Sequence, residues 1–137
     1  MKKTISILAL VLALMLTVTA CGVDPNDPWS DAKYTKDTTL GTVSKTVTVE
    51  VLVEDHLVTF TLKTDATMLG DALLETGLCQ GEDGPYGLYI KTTNGILADY
   101  DVNQHYWALY INGEYAMSGA DSTEITAGTV YRLAYES

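Results

Sequence analysis

The sequence predicts an α+β fold in which one short helix lies across a mixed β-sheet. Apolar and polar residues alternate over 47–53 and again over 58–62, the period of two that half-buried strands show. An apolar stripe at helical spacing follows over 69–76, and the remaining chain consists of strand-like segments separated by glycine- and asparagine-containing turns. This order of elements is typical of a β-grasp-like sheet.

The first elements are fixed by local signals. The polar corner Glu54-Asp55-His56 makes the two alternating segments a β-hairpin. Thr67 is expected to be the N-cap of the helix, and Asp71 lies in its first turns, where the helix dipole favours an anion. Gly77 fits the left-handed position that ends a helix, with Leu78 as the hydrophobic residue that often follows it.

Turn signals divide the chain beyond the helix. Asn94-Gly95 and Asn112-Gly113 are both type I′ hairpin signals, since each residue pair tolerates positive φ. The segments predicted here are a loop at 79–85, a strand at 88–91, a polar loop at 99–104, strands at 106–111 and 114–118, and a closing strand at 129–135.

Residues 1–20 are predicted to be a signal peptide and not part of the fold. Lys2 and Lys3 precede an apolar run over 5–16, which is too short for a comfortable membrane span. Val18-Thr19-Ala20-Cys21 then resembles the lipobox of bacterial lipoproteins, in which the cysteine receives diacylglycerol and fatty acyl (palmitate-type) chains. We therefore expect Cys21 to be lipidated and the protein to be anchored outside the cytoplasmic membrane of a bacterium.

The predicted domains after cleavage are a lipid-anchored flexible tether at 21–42 and one folded domain at 43–137. The tether has no apolar period; Trp29 and Tyr34 within it could dock on the domain, but we favour solvated linker residues. With Cys21 lipidated, Cys79 is a lone cysteine, either a reactive thiol or a small core residue. We favour the core residue, because no metal-ligand spacing surrounds Cys79.

Charge and motif content exclude several classes of function. Without residues 1–20 the chain keeps six basic side chains against 18 acidic ones, so phosphate repulsion makes nucleic acid an improbable partner. No nucleophile motif is present, and the sequence favours a protein that is not an enzyme. Asp99-x-Asp101-x-Asn103 begins like a calcium loop, but Gln104 replaces its glycine; a solvated turn without metal is expected.

The candidate site is aromatic. With a two-residue turn at Asn112-Gly113, Tyr110 opposes Tyr115, and Ala108 opposes Met117. One hairpin face then carries tyrosines and methionine, and the other carries Trp107, Leu109 and Ile111, which is expected to be core. The Tyr/Met face is either a binding surface or covered by loops or the tether. The predicted ligand-binding residues are Tyr106, Trp107, Tyr110, Tyr115 and Met117.

These segments resemble a known family, the transcobalamin-like C-terminal domain of bacterial surface lipoproteins. The likeness covers roughly residues 46–136 and depends on the order of its pieces. They are Ala72-Leu73-Leu74, the segment 87–96, Tyr106-Trp107-Ala108-Leu109-Tyr110-Ile111-Asn112-Gly113-Glu114, Gly119-Ala120-Asp121 and Gly128-Thr129-Val130-Tyr131-Arg132-Leu133-Ala134-Tyr135.

The resemblance implies a β-grasp-like fold and a ligand. In animal B12 carriers the equivalent domain caps a corrin ring that a larger helical barrel holds, and Trp107 matches the family tryptophan whose neighbourhood faces that ligand. These 137 residues contain no such barrel, so half of the carrier's site is missing. The expected function is non-catalytic ligand binding, with a corrinoid (cobalamin) as the leading ligand, no other cofactor, and a partner protein or transporter needed for tight binding. The alternative is a cell-surface protein-interaction or adhesion module.

Overall fold

The computed structural model describes residues 27–137 except 44 and 86, and these residues form nine strands and one helix longer than a single turn. The strands are β1 (Thr38–Gly41), β2 (Thr46–Val53), β3 (His56–Lys63), β4 (Cys79–Gly84), β5 (Gly87–Thr93), β6 (Ile96–Leu97), β7 (Tyr106–Ile111), β8 (Glu114–Tyr115) and β9 (Val130–Glu136). The helices are α1 (Leu69–Glu75) and the single turn α2 (Tyr100–Asn103), and 3₁₀ turns lie at Pro28–Asp31 and Ala120–Ser122.

The strands form two sheets. The larger is mixed, with the order β1-β3-β2-β9-β7-β8; β9 runs parallel to β2 and antiparallel to β7, and β1 runs parallel to β3. The smaller is antiparallel, with the order β4-β5-β6. A mixed sheet with one short helix confirms the predicted α+β fold class.

The core lies on one face of the larger sheet. The alternation of β2 and β3 places their valines, Phe60 and Leu62 on that face, and β9 adds Tyr131 and Leu133. Helix α1 covers it with Leu69, Ala72 and Leu73, all fully buried. Burial of these large apolar side chains is the main stabilising contribution, about 1.5–3 kcal/mol for each.

Helix α1 begins one residue later than predicted and without a side-chain cap. Its N-cap is Met68, whose side chain makes no capping bond, so the expectation for Thr67 is wrong. The N–H of Leu69 instead donates to the carbonyl of Thr123 at 2.8 Å, so a neighbouring segment satisfies a free helix donor. The predicted end is confirmed, because Gly77 has a φ of +80°.

Two segments predicted as loops are structured. Residues 79–84 form β4, which pairs with β5 and has an irregular register at Gln80/Gly81. A Cβ on Gly81 would lie 2.2 Å from the carbonyl oxygen of Tyr89, so this glycine permits the close approach of the two strands. The polar loop at 99–104 contains α2, where the Asp99 carboxylate caps the helix by accepting from the N–H of Asp101.

The segment predicted as a tether packs on the domain from residue 27 onward. Strand β1 pairs with β3, and the Asn94 side chain accepts from the Tyr34 N–H at 2.7 Å and donates to the Tyr34 carbonyl at 2.8 Å. Trp29 stacks on His56 with ring centroids 4.7 Å apart. Both aromatics are docked, so the favoured expectation of solvated residues is wrong. The folded domain includes residues before the predicted boundary at 43, because their backbone groups have partners far along the chain.

Cys79 is a free, buried cysteine, as predicted for a core residue. Burial raises the pKa of its thiol to about 12, against a smaller opposite effect of the Thr93 hydroxyl. None of the helices in the described residues is long and apolar enough to cross a membrane. The predicted signal peptide and lipidated Cys21 lie outside those residues.

Candidate functional site

The β7–β8 hairpin turns where the sequence predicts. Asn112 and Gly113 have φ values of +49° and +84°, as a type I′ turn requires. Tyr110 pairs with Tyr115 as predicted. The predicted pairing of Ala108 with Met117 does not form: the last hydrogen bond joins the Ala116 N–H to the Leu109 carbonyl at 2.9 Å, and the chain then leaves the sheet.

The outer face of this hairpin holds a phenol cluster. The Tyr110 hydroxyl donates to Oε2 of Glu136 at 2.6 Å, and that of Tyr106 donates to Oε1 at 3.3 Å. Tyr115 meets Tyr110 edge to face, with centroids 5.6 Å apart. The bond to Glu136 is the main reason that the pKa of Tyr110 is raised, and desolvation is the main reason for the raised pKa of Tyr106.

The predicted division of the hairpin into two faces holds for β7 and Tyr115, whereas Met117 lies beyond the end of β8. Tyr115 is 58% exposed and Met117 is 98% exposed, while Tyr106 and Tyr110 are half-buried. Trp107 points to the core at 8% exposure, and its Nε1 donates to the Lys91 carbonyl at 3.2 Å. Strand β5 packs beside the tryptophan side, and Tyr115 and Met117 are open to solvent.

An uncharged groove opens where the hairpin ladder stops. It has a volume of about 500 Å³ and separates β7 from β5 and from the chain over 115–122. Residues Leu88, Tyr89 and Ile90 of β5 form one wall. Among the described residues, none of the side chains that line it is charged, although the protein is strongly acidic. The hairpin contributes Tyr106, Trp107, Leu109, Tyr115, Ala116 and Met117.

The groove brings together four of the five predicted ligand-binding residues. Tyr110 is the exception, since its ring lies on the outer face against Glu136. Sequence reasoning missed the β5 wall. The only signal for it was the aromatic and apolar content of 88–90, and nothing local indicates that this strand crosses beside β7.

Other cavities are lined by charged residues. One, of about 590 Å³, is lined by Asp27, Glu54 and Glu136 with the His105 ring, which stacks on Tyr135 at 4.3 Å. His105 Nδ1 also lies 3.2 Å from the Glu136 carbonyl oxygen, so this histidine is held in place by its neighbours.

Another charged cavity, of about 500 Å³, contains Asp99 and Asp101, two of the three candidate calcium residues. The Lys91 ammonium lies 3.4 Å from Asp99 and 3.3 Å from Glu82, and these carboxylates, Glu82 first, raise the pKa of Lys91. The positive charge already present opposes a cation there. Across residues 27–43, 45–85 and 87–137, no group of three or more His, Cys, Asp or Glu is arranged to hold a metal ion.

Known proteins share this fold. The family model "Domain of unknown function (DUF4430)" matches residues 65–137. A solved structure from Ruminococcus gnavus ATCC 29149, provisionally described as a metal-binding protein, is 35% identical; the match covers 68% of this chain and 97% of that chain, with a TM-score of 0.62. A search of curated proteins found no match.

A second solved structure, haptocorrin in complex with Cbi, is similar in fold alone. It is 17% identical with a TM-score of 0.50, and the match covers 70% of this chain and 26% of haptocorrin. The resemblance inferred from residues 46–136 is thereby confirmed. The chain belongs to the DUF4430 family, and its fold is the transcobalamin-like one that its sequence predicts.

Proposed function

We propose that this protein is a lipid-anchored binding protein outside the cytoplasmic membrane, and that its hairpin groove holds a flat, amphiphilic ligand without transforming it. The observation that carries the proposal is the groove itself: an uncharged, aromatic-lined opening in a strongly acidic protein. Its volume of about 500 Å³ lies within the range of small-molecule sites, roughly 300–1,000 Å³.

The lining favours ring-shaped ligands with polar edges. Tyr89, Tyr106 and Tyr115 offer aromatic area with hydroxyl tips, and the exposed Met117 adds a polarisable, flexible side chain. Phenol and thioether groups recognise a ligand without needing its charge. The groove supplies no carboxylate, imidazole or ammonium, which supports binding in preference to catalysis.

A corrinoid is the leading candidate within this class. Haptocorrin, which shares the fold, is described in complex with Cbi. The match covers only 26% of haptocorrin, and the groove here is open on one side, so we propose that a partner protein or transporter completes the site for tight binding.

A fluorescence titration tests this proposal. Cobinamide and cobalamin should quench tryptophan emission saturably, because Trp107 lines the groove. Tyr115→Ala should weaken binding by roughly 2- to 10-fold, because one aromatic contact contributes about 0.5–1.5 kcal/mol. Leu57→Ala is the matched control: Leu57 is also exposed, at 47%, but it lies on β3 and outside the groove. A titration without saturation, or equal weakening in both variants, would contradict the proposal.

The anchor is tested separately. In a bacterial host, wild-type protein should fractionate with the membrane and incorporate labelled palmitate, because acyl chains contribute about 0.8 kcal/mol per buried CH₂. Cys21→Ser should lose the label. Equal incorporation in the variant would exclude Cys21 as the acylated residue.

The second candidate function is a cell-surface protein-interaction module. The exposure of Tyr115 and Met117 on a face that no described element covers favours it. Cross-linking at these two positions in intact cells, followed by mass spectrometry of the product, would favour this function if the titrations above remain flat.

A further inference from the structure

The β7–β8 ladder stops after two residue pairs and leaves part of the β7 backbone uncovered. The Asn112 N–H donates to the Val130 carbonyl at 2.8 Å, on the β9 side. Backbone groups of successive residues in a strand point to opposite edges. Those of Ala108 and Tyr110 therefore face β9, and those of Trp107 and Leu109 face the β8 side.

At that open edge, three backbone groups have no partner among the described residues. The Leu109 carbonyl accepts from the Ala116 N–H, but no hydrogen bond is made there by the Leu109 N–H or by the N–H and carbonyl of Trp107. Both residues line the uncharged groove, and Trp107 is only 8% exposed. Unpaired polar groups at so buried a position are costly, and an uncovered strand edge is a template for another strand.

We infer that the groove accepts an extended polypeptide segment of another protein, which adds to β7 as a strand. Such a segment lies about 4.8 Å from its neighbour and supplies the acceptors that the Leu109 and Trp107 N–H groups lack and the donor that the Trp107 carbonyl lacks. Its alternate side chains would face Leu88 and Ile90 on one side and the phenol rings of Tyr106 and Tyr115 on the other.

The groove also selects the composition of that segment. Its lining carries no charge, so burying a charged peptide side chain there would be unfavourable. The surrounding acidic surface repels acidic peptides in addition. The expected partner segment is therefore uncharged, extended and rich in apolar or β-branched residues.

This inference rests on the proposed role of the groove as a binding site and adds a second class of occupant. The small ligand is recognised by side-chain rings, whereas the polypeptide is recognised by the β7 backbone. Binding of the small ligand and binding of the polypeptide should therefore give different results in the same measurements.

Amide hydrogen exchange of the ¹⁵N-labelled protein, followed by NMR, tests the inference. The probe is an acetylated, amidated hexapeptide that alternates valine and threonine. At saturation, exchange at the Trp107 and Leu109 amides should slow by at least tenfold. The Ala108 and Tyr110 amides are matched controls in the same strand and should change little, because they already face β9.

Two N-methylated forms of the peptide sharpen the test, one methylated at every valine nitrogen and the other at every threonine nitrogen. Each form blocks only one edge of the extended peptide. One form should bind like the parent peptide, and the other should lose at least tenfold in affinity. Equal binding of both forms would overturn strand addition.

Further outcomes would also overturn the inference: no binding of the parent peptide, binding that leaves the Trp107 and Leu109 amides unprotected, or protection that rises with protein concentration alone, which would identify a second copy of this chain as the occupant. Cobinamide titrated into the same samples keeps the two proposals separate. Quenching without peptide protection rejects only the strand addition, and protection without quenching rejects only the small ligand.

Discussion

The β2–β3 and β7–β8 hairpins are both antiparallel and differ in the length over which their strands pair. Both turn through two residues, yet β2 and β3 pair over eight residue pairs and β7 and β8 over two. Along β2, every second residue from Val47 to Val53 is at most 4% exposed. Beyond Tyr115 the returning strand offers Ala116 and the 98% exposed Met117. Pairing continues where it also buries apolar area, and stops where it does not.

The comparison teaches where a binding site arises in this fold. In the first hairpin the core uses every inward side chain, and the ladder uses the facing backbone groups. In the second hairpin, the Trp107 side chain donates a hydrogen bond to the Lys91 carbonyl of β5 and is not covered by β8. The groove between β5 and β7 follows directly from that difference.

The largest expected effect is the difference in stability that is lost when one aromatic side chain in each hairpin is replaced by alanine. Phe60→Ala in β3 removes a fully buried ring and should lower the free energy of unfolding by about 3–5 kcal/mol. Tyr115→Ala in β8 should cost about 1 kcal/mol or less, since it loses mainly the edge-to-face contact with Tyr110. Urea unfolding followed by fluorescence measures both. Similar losses would mean that the two hairpins do not differ in their contribution to stability.

The turns provide the next test. Gly113 has a φ of +84°, and a Cβ added there would meet no atom within 4 Å, so Gly113→Ala should cost about 1–2 kcal/mol through backbone strain alone. Glu54, at the other turn, has a φ of +56°. Glu54→Asn should be neutral or stabilising by a few tenths of a kcal/mol, because asparagine tolerates this region. Thermal unfolding of both variants checks that only Gly113→Ala destabilises the protein, and a neutral Gly113→Ala would contradict the expectation.

A smaller effect is expected at the point where the second ladder ends. Ala116→Pro removes the N–H that donates to the Leu109 carbonyl and should cost about 0.5–1.5 kcal/mol. Met117→Ala, one residue further and almost fully exposed, should stay within about 0.5 kcal/mol of wild type. The difference in stability between the two variants is measured from the denaturant concentrations at their unfolding midpoints, provided that their unfolding curves have the same slope. If both variants are neutral, the Ala116 bond does not stabilise the hairpin.

The sequence predicts what depends on neighbours along the chain. The alternation in β2 and β3, the stripe of α1 and the opposition of Tyr110 and Tyr115 are local, and the structure has all of them. Strand β4 could not be predicted, since Gln80 to Gly84 is polar and glycine-rich and becomes a strand only beside β5. A polar segment is held in a sheet by its partner's backbone, which its own composition does not reveal.

The same reasoning explains what local patterns miss at the candidate site and at the N-terminal segment. The aromatic residues of β7 and β8 are visible in the sequence, but their groove needs the β5 wall, which reaches them through tertiary packing. Tyr34 docks through the side chain of Asn94, 60 residues away. The sequence predicts Asn94 only as a turn residue, and turn chemistry does not show that its side chain holds a distant backbone.

The smallest expected effect is the part of the alkaline pH dependence that comes from the outer face of the β7 hairpin. The bond to Glu136 and desolvation raise the pKa of Tyr110 above its ordinary value of about 10. A raised folded-state pKa contributes stability that is fully present below about pH 10 and is lost as pH rises through the folded value. Tyr110 should therefore add to the fall in unfolding free energy above about pH 10 that the raised pKa of the buried Cys79 thiol also causes, and Tyr110→Phe should make the fall less steep. Tyr115→Phe leaves the Glu136 bond in place and should follow the wild-type curve. Urea unfolding between about pH 9 and pH 11 distinguishes the two variants. If the unfolding free energies of all three proteins have the same pH dependence, ionisation of Tyr110 is not coupled to folding. The Tyr110 hydroxyl would then have no role in stabilising this face.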